Sequence, residues 1–368
     1  MSTPKVPWIW LSVFAVALLG ILPYMPLLEY WPWTEDSVKW YNKCHVDNPD
    51  WFSWIFAHRH YIGYRPVAAA SLTLNSAIGG PFPLMYRLTD LSLFFGTGLA
   101  VYGLWSTLTR RINGWGLVAM VLFLCHPVAQ DVVPFLARRT YVLAVFFSTL
   151  ALICLGRHLN SDEPDSRLSP GPPRNRRWLV ASCVCLPLAI FSNEFGYVTL
   201  GFMVLLCCTA TPGISRQTLR SVLPILATGL ASLAIRWLVR GHMGGYHVAY
   251  ITKLQGGDRV LKKGAGFWDV FQASFDYTLF PAGWSGASPW LLGSTLGIAL
   301  VLSYYGWRAL VRPLLNWGQR EERLKLCLAL WLVGYATLYG LTNTWFWRQG
   351  YPMSVPLALL ITLVAQDT

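Results

Sequence analysis

Charged side chains are scarce in this 368-residue sequence, and acidic ones are the scarcest. Asp, Glu, Lys and Arg make up 12% of the residues, about half their share in an ordinary soluble domain, while 54% are hydrophobic. The sequence also lacks a P-loop, a Gly-x-Gly-x-x-Gly fingerprint and a repeat of solenoid period. These absences argue against a soluble or nucleotide-binding domain and favour an integral membrane protein.

The excess of basic residues gives a formal charge of +12, which on its own suggests a nucleic-acid partner. The Lys and Arg residues, however, occur in short clusters between apolar runs and not along one amphipathic face. Such clusters are typical of membrane topology signals. We therefore expect no nucleic-acid partner.

The eight cysteines show no metal or disulfide pattern. Nearly all of them fall inside apolar runs, where Cys behaves as a small hydrophobic residue. The spacings at Cys183 with Cys185 and at Cys207 with Cys208 fit no zinc site, and only Cys44 clearly lies in a water-exposed loop. We expect neither a disulfide nor a zinc site.

Apolar runs long enough to cross a bilayer recur along the whole chain. Because a span needs roughly 17 to 25 mostly apolar residues, we expect about ten transmembrane helices in a single all-α polytopic domain, residues 1-368. The first run has no cleavage site behind it and is expected to be an uncleaved span. The expected spans are 8-28, 86-108, 115-127, 140-157, 178-193, 195-210, 221-240, 289-308, 325-342 and 351-365.

The basic clusters predict the orientation of these spans, since Lys and Arg are retained in the cytoplasm. Both termini and the loop 158-177, which is rich in Pro and Ser and expected to be flexible, then lie on the cytoplasmic side. The long loops 29-85 and 241-288, dense in Trp and Tyr, lie on the exoplasmic side of a bacterial inner membrane or the endoplasmic reticulum. We expect function on that side.

An acidic pair, Glu35 and Asp36, follows the first span among several tryptophans. A carboxylate held there near the bilayer can deprotonate a hydroxyl acceptor as a general base. The alternative is a solvated pair of loop carboxylates. The residues themselves leave both interpretations open.

Two adjacent arginines, Arg138 and Arg139, follow His126 after the third span. Arginine matches a phosphate with two parallel hydrogen bonds, so these residues can bind the phosphate of a lipid-linked substrate. They can equally be interfacial anchors whose charged ends reach toward water.

Other charged residues lie near the exoplasmic ends of the expected spans: Arg65, Glu194 and Arg348. A charged side chain at membrane depth costs about 2.5 to 3.5 kcal/mol on insertion scales, so we expect each of these residues to have a partner or a function. Together with the previous residues they can line one cavity. Glu194 either pairs with an arginine as a structural bridge or shapes the acceptor site.

Several segments, taken in order, resemble one known membrane family. The resemblance is to the membrane half of the TMTC-type O-mannosyltransferases and their bacterial relatives. It is carried by the acidic pair Glu35-Asp36, by Tyr64-Arg-Pro-Val-Ala-Ala-Ala-Ser-Leu-Thr-Leu-Asn75 and Tyr86-Arg-Leu-Thr-Asp-Leu91, by His126-Pro-Val-Ala-Gln-Asp131 and Ala137-Arg-Arg-Thr-Tyr-Val-Leu-Ala144, and by Ser192-Asn-Glu194 and Arg348-Gln-Gly-Tyr-Pro-Met-Ser-Val-Pro356.

The resemblance implies the GT-C fold, an all-helical membrane glycosyltransferase architecture. It also implies transfer of a sugar from a polyprenyl-phosphate donor to an exoplasmic protein or glycan acceptor, with inversion of the anomeric centre. Asp36 falls on the family's acidic catalytic position, with Glu35 beside it, and Arg138 becomes the phosphate ligand. No redox cofactor is implied; the carboxylates can hold a divalent metal through oxygen, although nothing requires one.

The sequence departs from the family in ways that leave a second function open. Glu35 stands where the family usually has Asp, Asn193 stands where it has Lys, and the tetratricopeptide array common in the family is missing from the 368 residues. With the many tryptophans, these departures suit a membrane subunit that has lost catalysis and serves as a scaffold in a larger membrane complex.

Overall fold

The part of the chain that can be described is helical throughout. A computed structural model describes residues 6-29, 34-56, 64-160, 176-210, 216-240, 319-342 and 350-366, together with Trp268, and these residues form no strand. The α-helices are α1 Val6–Ile21, α2 Glu35–Cys44, α3 Trp51–Phe56, α4 Pro66–Gly79, α5 Pro83–Thr109, α6 Gly114–Leu124, α7 Val128–Val132, α8 Arg139–Asn160, α9 Arg176–Ser192, α10 Gly196–Ala210, α11 Arg216–Arg240, α12 Arg320–Thr342 and α13 Gly350–Gln366. Two 3₁₀ helices cover Leu22–Glu29 and Leu136–Arg138.

The expected spans correspond to these helices, except 289-308, which lies outside the described residues. Among the described helices, three are long and apolar enough to cross a membrane by length and composition: Pro83–Thr109, Leu136–Asn160 and Thr218–Val239. α6, α10 and α13 are shorter apolar helices. For the described residues the expectation of an all-helical membrane fold is confirmed, whereas the number ten is not.

Two of the basic clusters predicted to share one side of the membrane, at 110-111 and at the start of α12, meet in the structure. At the end of α5, Arg110 Nε donates a hydrogen bond of 2.9 Å to Asn160 Oδ1 at the end of α8. Arg320 Nη2, at the start of α12, donates to the same oxygen at 3.1 Å, and Arg111 pairs with Glu321 at 2.7 Å. We call this side of the bundle the basic end.

The loop 158-177, expected to be flexible, is shorter than predicted. α8 continues to Asn160 and α9 begins at Arg176, so both edges of the predicted loop are helical. His158 is buried and its Nε2 lies 3.2 Å from Ser221 Oγ on α11. Residues 161-175 lie outside the described part.

At the opposite end of the bundle, a buried ion pair joins three helices. Arg139 Nε, at the start of α8, lies 2.5 Å from Asp90 Oδ1 on α5, and the two side chains are 0% and 3% exposed. Arg139 also donates to Asn75 Oδ1 on α4 and, at 2.8 Å, to the Tyr86 carbonyl oxygen. We call this side, where α5 and α8 begin and α9 ends, the site end.

The predicted exoplasmic loop 29-85 is built largely of helices at the site end. α2, α3 and α4 pack around a small apolar cluster with the start of α5 and the 3₁₀ helix before α8; its buried members are Cys44, Ile55, Ala69, Leu72, Tyr86 and Leu136. Val46 N donates to Ser76 Oγ at 3.1 Å, which ties the chain after α2 to α4. The sequence indicated order here but did not identify these helices.

We predict that Asp90→Asn destabilises the protein strongly, because it leaves the Arg139 guanidinium buried without its counter-charge. The expected loss in the free energy of unfolding is about 3 to 5 kcal/mol. It is measured by denaturant unfolding in detergent micelles. Arg111→Gln, which breaks a half-exposed pair at the basic end, is the control and is expected to cost about 1 kcal/mol or less. Equal losses in the two variants would contradict the prediction.

Candidate functional site

Asp36 lies in the first turn of α2, and its neighbours hold that turn in place. Thr34 is the N-cap: its Oγ1 accepts a hydrogen bond of 3.1 Å from Ser37 N and donates one of 2.8 Å to Ser37 Oγ. Such caps satisfy backbone donors that the helix leaves unpaired. Asp36 itself is exposed, so its carboxylate is open to a substrate. The side chain of Glu35 lies outside the described part of the structure.

The start of α2 contacts the 3₁₀ helix that carries Arg138. The backbone N–H of Ala137 donates to Ser37 Oγ at 3.4 Å, a contact between residues 100 apart in sequence. Asp36 and Arg138 are each the immediate neighbour of a residue in this contact. The structure thus brings the predicted base and the predicted phosphate ligand into one region of the site end.

Arg138 is half-buried, and its side chain contacts residues of the loop that precedes it. Its guanidinium carbon lies 4.1 Å from the centre of the Phe135 ring, and Nη1 donates to the carbonyl oxygen of Asp131. His126 precedes this loop, and its Nδ1 accepts a hydrogen bond of 3.3 Å from Val128 N at the start of α7. In this conformation His126 orders the turn between α6 and α7.

Arg139 points into the protein, unlike its neighbour. Its contacts with Asp90, Asn75 and Tyr86 surround the guanidinium, which has no exposed surface. As placed, Arg139 stabilises the packing of α4, α5 and α8. Any role in binding substrate stays a prediction for this residue.

Glu194, between α9 and α10, pairs with two arginines. Arg65 Nη2 lies 2.9 Å from Oε2, and Arg236 Nη2, on α11, lies 2.5 Å from Oε1. Pro66 at the first position of α4 makes Arg65 the N-cap residue of that helix, which fixes where its side chain starts. Burial opposes ionisation of Glu194, but the two guanidinium groups outweigh it and hold its pKa well below the usual value.

Arg236 was missed by the sequence analysis, although a signal for it exists. It is the one charged residue in the apolar stretch Ala234-Ile-Arg-Trp-Leu-Val239, and charge at membrane depth usually has a partner or a function. Its pairing with Glu194 required the fold, because α9 and α11 had to be brought together. The last predicted site residue, Arg348, lies outside the described residues.

Two further expectations concern the polar surroundings of the site. Asn193, where the family has Lys, is buried, and its Nδ2 donates to Thr140 Oγ1 at 3.3 Å. Among the described residues, no group of three or more His, Cys, Asp or Glu side chains is arranged to hold a metal ion.

We predict that Glu194→Gln lowers thermal stability at neutral pH, because it removes the charge that pairs with Arg65 and Arg236. Since folding lowers the Glu194 pKa, its contribution is complete above the unfolded value near 4.5 and is lost as the pH falls toward the folded value. The difference in melting temperature between wild type and variant, followed in detergent from neutral to acid pH, should therefore stay constant and then shrink. A difference that grows on acidification would contradict this assignment.

Sequence comparison finds relatives over part of the chain. No family model matches the sequence. A segment of 178 residues, 47% of this chain, is 27% identical to human "Protein O-mannosyl-transferase TMTC2" and covers 19% of that protein. A segment of 121 residues, 32% of this chain, is 30% identical to the Xenopus laevis protein of the same description and covers 14% of it. The chain thus matches about a fifth or less of the length of these curated relatives.

Structural comparison covers the whole chain. ArnT from Cupriavidus metallidurans, solved with undecaprenyl phosphate bound, matches with a TM-score of 0.56 at 14% identity over 100% of this chain and 61% of ArnT. The Archaeoglobus fulgidus oligosaccharyltransferase in its apo form matches with a TM-score of 0.54 at 12% identity over 98% of this chain and 50% of that protein. The chain therefore has the fold of the GT-C membrane glycosyltransferases, and its sequence relatives are TMTC-type O-mannosyltransferases.

Proposed function

We propose that this protein is an inverting glycosyltransferase that takes its sugar from a polyprenyl-phosphate donor. The acceptor is a hydroxyl group of a protein or glycan on the exoplasmic side, and both termini lie in the cytoplasm. The observation that carries the proposal is the contact between Ser37 and Ala137, which holds the exposed Asp36 beside the segment of Arg138 in a GT-C fold.

The proposed reaction is a single displacement at the anomeric carbon. The Asp36 carboxylate takes the proton of the acceptor hydroxyl, whose oxygen forms the new bond to that carbon. The bond from the anomeric carbon to the phosphate oxygen breaks on the opposite face, which inverts the centre. The electron pair leaves with the phosphate, and the products are the glycosylated acceptor and the polyprenyl phosphate, whose charge Arg138 balances.

The position of Asp36 suits a general base. It lies in the first turn of α2, where a helix dipole favours negative charge, and its neighbours Thr34 and Ser37 fix the turn by two hydrogen bonds. A base must be held in place and open to its substrate, and this residue is both. Glu35, next to it, is a second acidic residue for the same acceptor.

Lipid access supports the choice of donor. Near the site end, α4 and the start of α5 present exposed apolar side chains: Leu74, Ile78, Phe82, Leu84 and Leu88. An isoprenoid tail requires an apolar surface near the reacting carbon, and the helices around the site end, these among them, offer exposed apolar side chains. The solved neighbour ArnT holds undecaprenyl phosphate, a lipid of this class.

The alternative of an inactive scaffold subunit is not favoured, because the relatives and the solved neighbours are transferases by description. The chain matches only a small part of the length of its sequence relatives. The acceptor and any partner subunit are therefore proposed and do not follow from the relatives' descriptions. A divalent metal is not required by the reaction as written; the assay below, run with and without EDTA, measures whether one takes part.

We predict that Asp36→Asn lowers sugar transfer by about 100-fold or more, because it removes the general base.

Arg138→Ala should raise the donor concentration needed for half-maximal rate, because it removes a positive charge that binds the donor phosphate. Transfer is measured with purified protein in lipid nanodiscs, a panel of polyprenyl-phosphate sugars and a hydroxyl-bearing acceptor peptide.

The matched control is Asp50→Asn, which removes an exposed carboxylate from the same exoplasmic segment. It should leave the rate unchanged. Transfer at the wild-type rate by the folded Asp36→Asn variant would overturn the assignment of the base. Absence of transfer by the wild type, with every donor of the panel, would favour the scaffold instead.

A further inference from the structure

Arg236 is a buried arginine with unused hydrogen-bond donors. The residue is 1% exposed and lies on α11, within the candidate span Thr218–Val239. One nitrogen, Nη2, pairs with Glu194. In the described structure, Nε and Nη1 have no hydrogen-bond partner, although both are buried. Burying charged donors without acceptors is unfavourable and uncommon, so this arrangement needs an explanation.

A second unused donor lies close by. The hydroxyl of Tyr197, on the first turn of α10, is buried and has no hydrogen-bond partner among the described residues. The backbone N–H of Tyr197 donates a hydrogen bond of 3.1 Å to the carbonyl oxygen of Glu194, whose side chain pairs with Arg236. α10 and α11 pack against each other, and we call Arg65, Glu194, Tyr197 and Arg236 the polar cluster.

The charged groups of this polar cluster meet at Glu194. Two guanidinium groups, Arg65 and Arg236, face the single carboxylate of Glu194. The hydrogen bond to Glu194 uses Nη2 of Arg236 and leaves its Nε and Nη1 without an acceptor among the described residues. The donors left over, on Arg236 and Tyr197, match an anion that brings several acceptor oxygens.

The outer surface of α11 next to the polar cluster is apolar. On α11 the residues that flank Arg236 are exposed hydrophobic ones: Ile235, Trp237 and Leu238 are 44%, 50% and 74% exposed. The helix therefore presents a lipid-facing surface beside an inward-facing arginine. An anion attached to a long hydrocarbon chain fits both the unused donors of the polar cluster and the apolar face of α11. A free inorganic anion fits only the donors.

We propose that Arg236 and Tyr197 bind the phosphate group of the polyprenyl-phosphate donor, with its tail along the outer face of α11. This inference rests on the proposed function and adds two residues to Arg138. When the bond to the anomeric carbon breaks, the phosphate oxygen keeps the electron pair, and Arg236 holds the resulting negative charge. Glu194 is then a positioning residue, since it orients Arg236 and does not touch the sugar.

The test measures lipid binding separately from sugar transfer. Purified full-length protein in detergent is titrated with undecaprenyl phosphate and, in parallel, with undecaprenol, which lacks the phosphate. Binding is followed by native mass spectrometry and by the shift in melting temperature. Wild type should bind the phosphate at least tenfold more tightly than the alcohol.

Three variants locate the phosphate. Arg236→Gln should lose at least tenfold in affinity for the phosphate lipid and leave the alcohol unaffected, whereas Arg236→Lys should lose less because it keeps a positive charge. Tyr197→Phe removes one hydroxyl and no charge, and its affinity for the phosphate lipid should fall about threefold. This variant keeps the test valid if the arginine variants do not fold. Arg111→Gln at the basic end is the matched control and should bind as wild type does.

The outcomes separate this inference from the proposed function. If folded Arg236→Gln and Tyr197→Phe bind undecaprenyl phosphate as tightly as wild type, the unused donors serve bound water and this inference falls, while sugar transfer dependent on Asp36 still stands. If wild type does not distinguish the phosphate from the alcohol, the proposed donor class falls as well. Selective binding lost in both variants supports the inference.

Discussion

The buried pair between Arg139 and Asp90 is the contact on which the site end depends. A guanidinium with no exposed surface must be matched by a carboxylate and by hydrogen-bond acceptors, and here these come from α4 and α5. The match fixes the start of α8 against two other helices. Because Arg138 and the turn before it directly precede α8, their position follows from the same contact.

A second group of charges organises the neighbouring corner of the bundle. Glu194 draws Arg65 and Arg236 together, and thereby links α4, the α9–α10 turn and α11. The two groups differ in how many hydrogen-bond donors have an acceptor. Each guanidinium nitrogen of Arg139 has one, whereas Nε and Nη1 of Arg236 have none among the described residues. A packed, satisfied arginine stabilises the fold, and an unsatisfied one is better suited to bind a ligand.

The helices α2 and α4 connect these two groups of charges. α2 carries the exposed Asp36 and rests on the 136-138 turn, while α4 contributes Asn75 to one charge group and Arg65 to the other. A shift of α4 would therefore disturb both groups. This shared helix explains how residues far apart in sequence come to lie at one end of the bundle.

The sequence alone determined the membrane class and the positions of most helices, and it indicated that basic clusters gather at one end, because apolar runs and charge clusters are local features. It also singled out Asp36, Arg138 and Glu194 as candidates. It did not separate Arg138 from the buried Arg139, did not find α2 to α4, and did not select Arg236. Only the tertiary structure decided these points, because burial and pairing depend on which helices pack together.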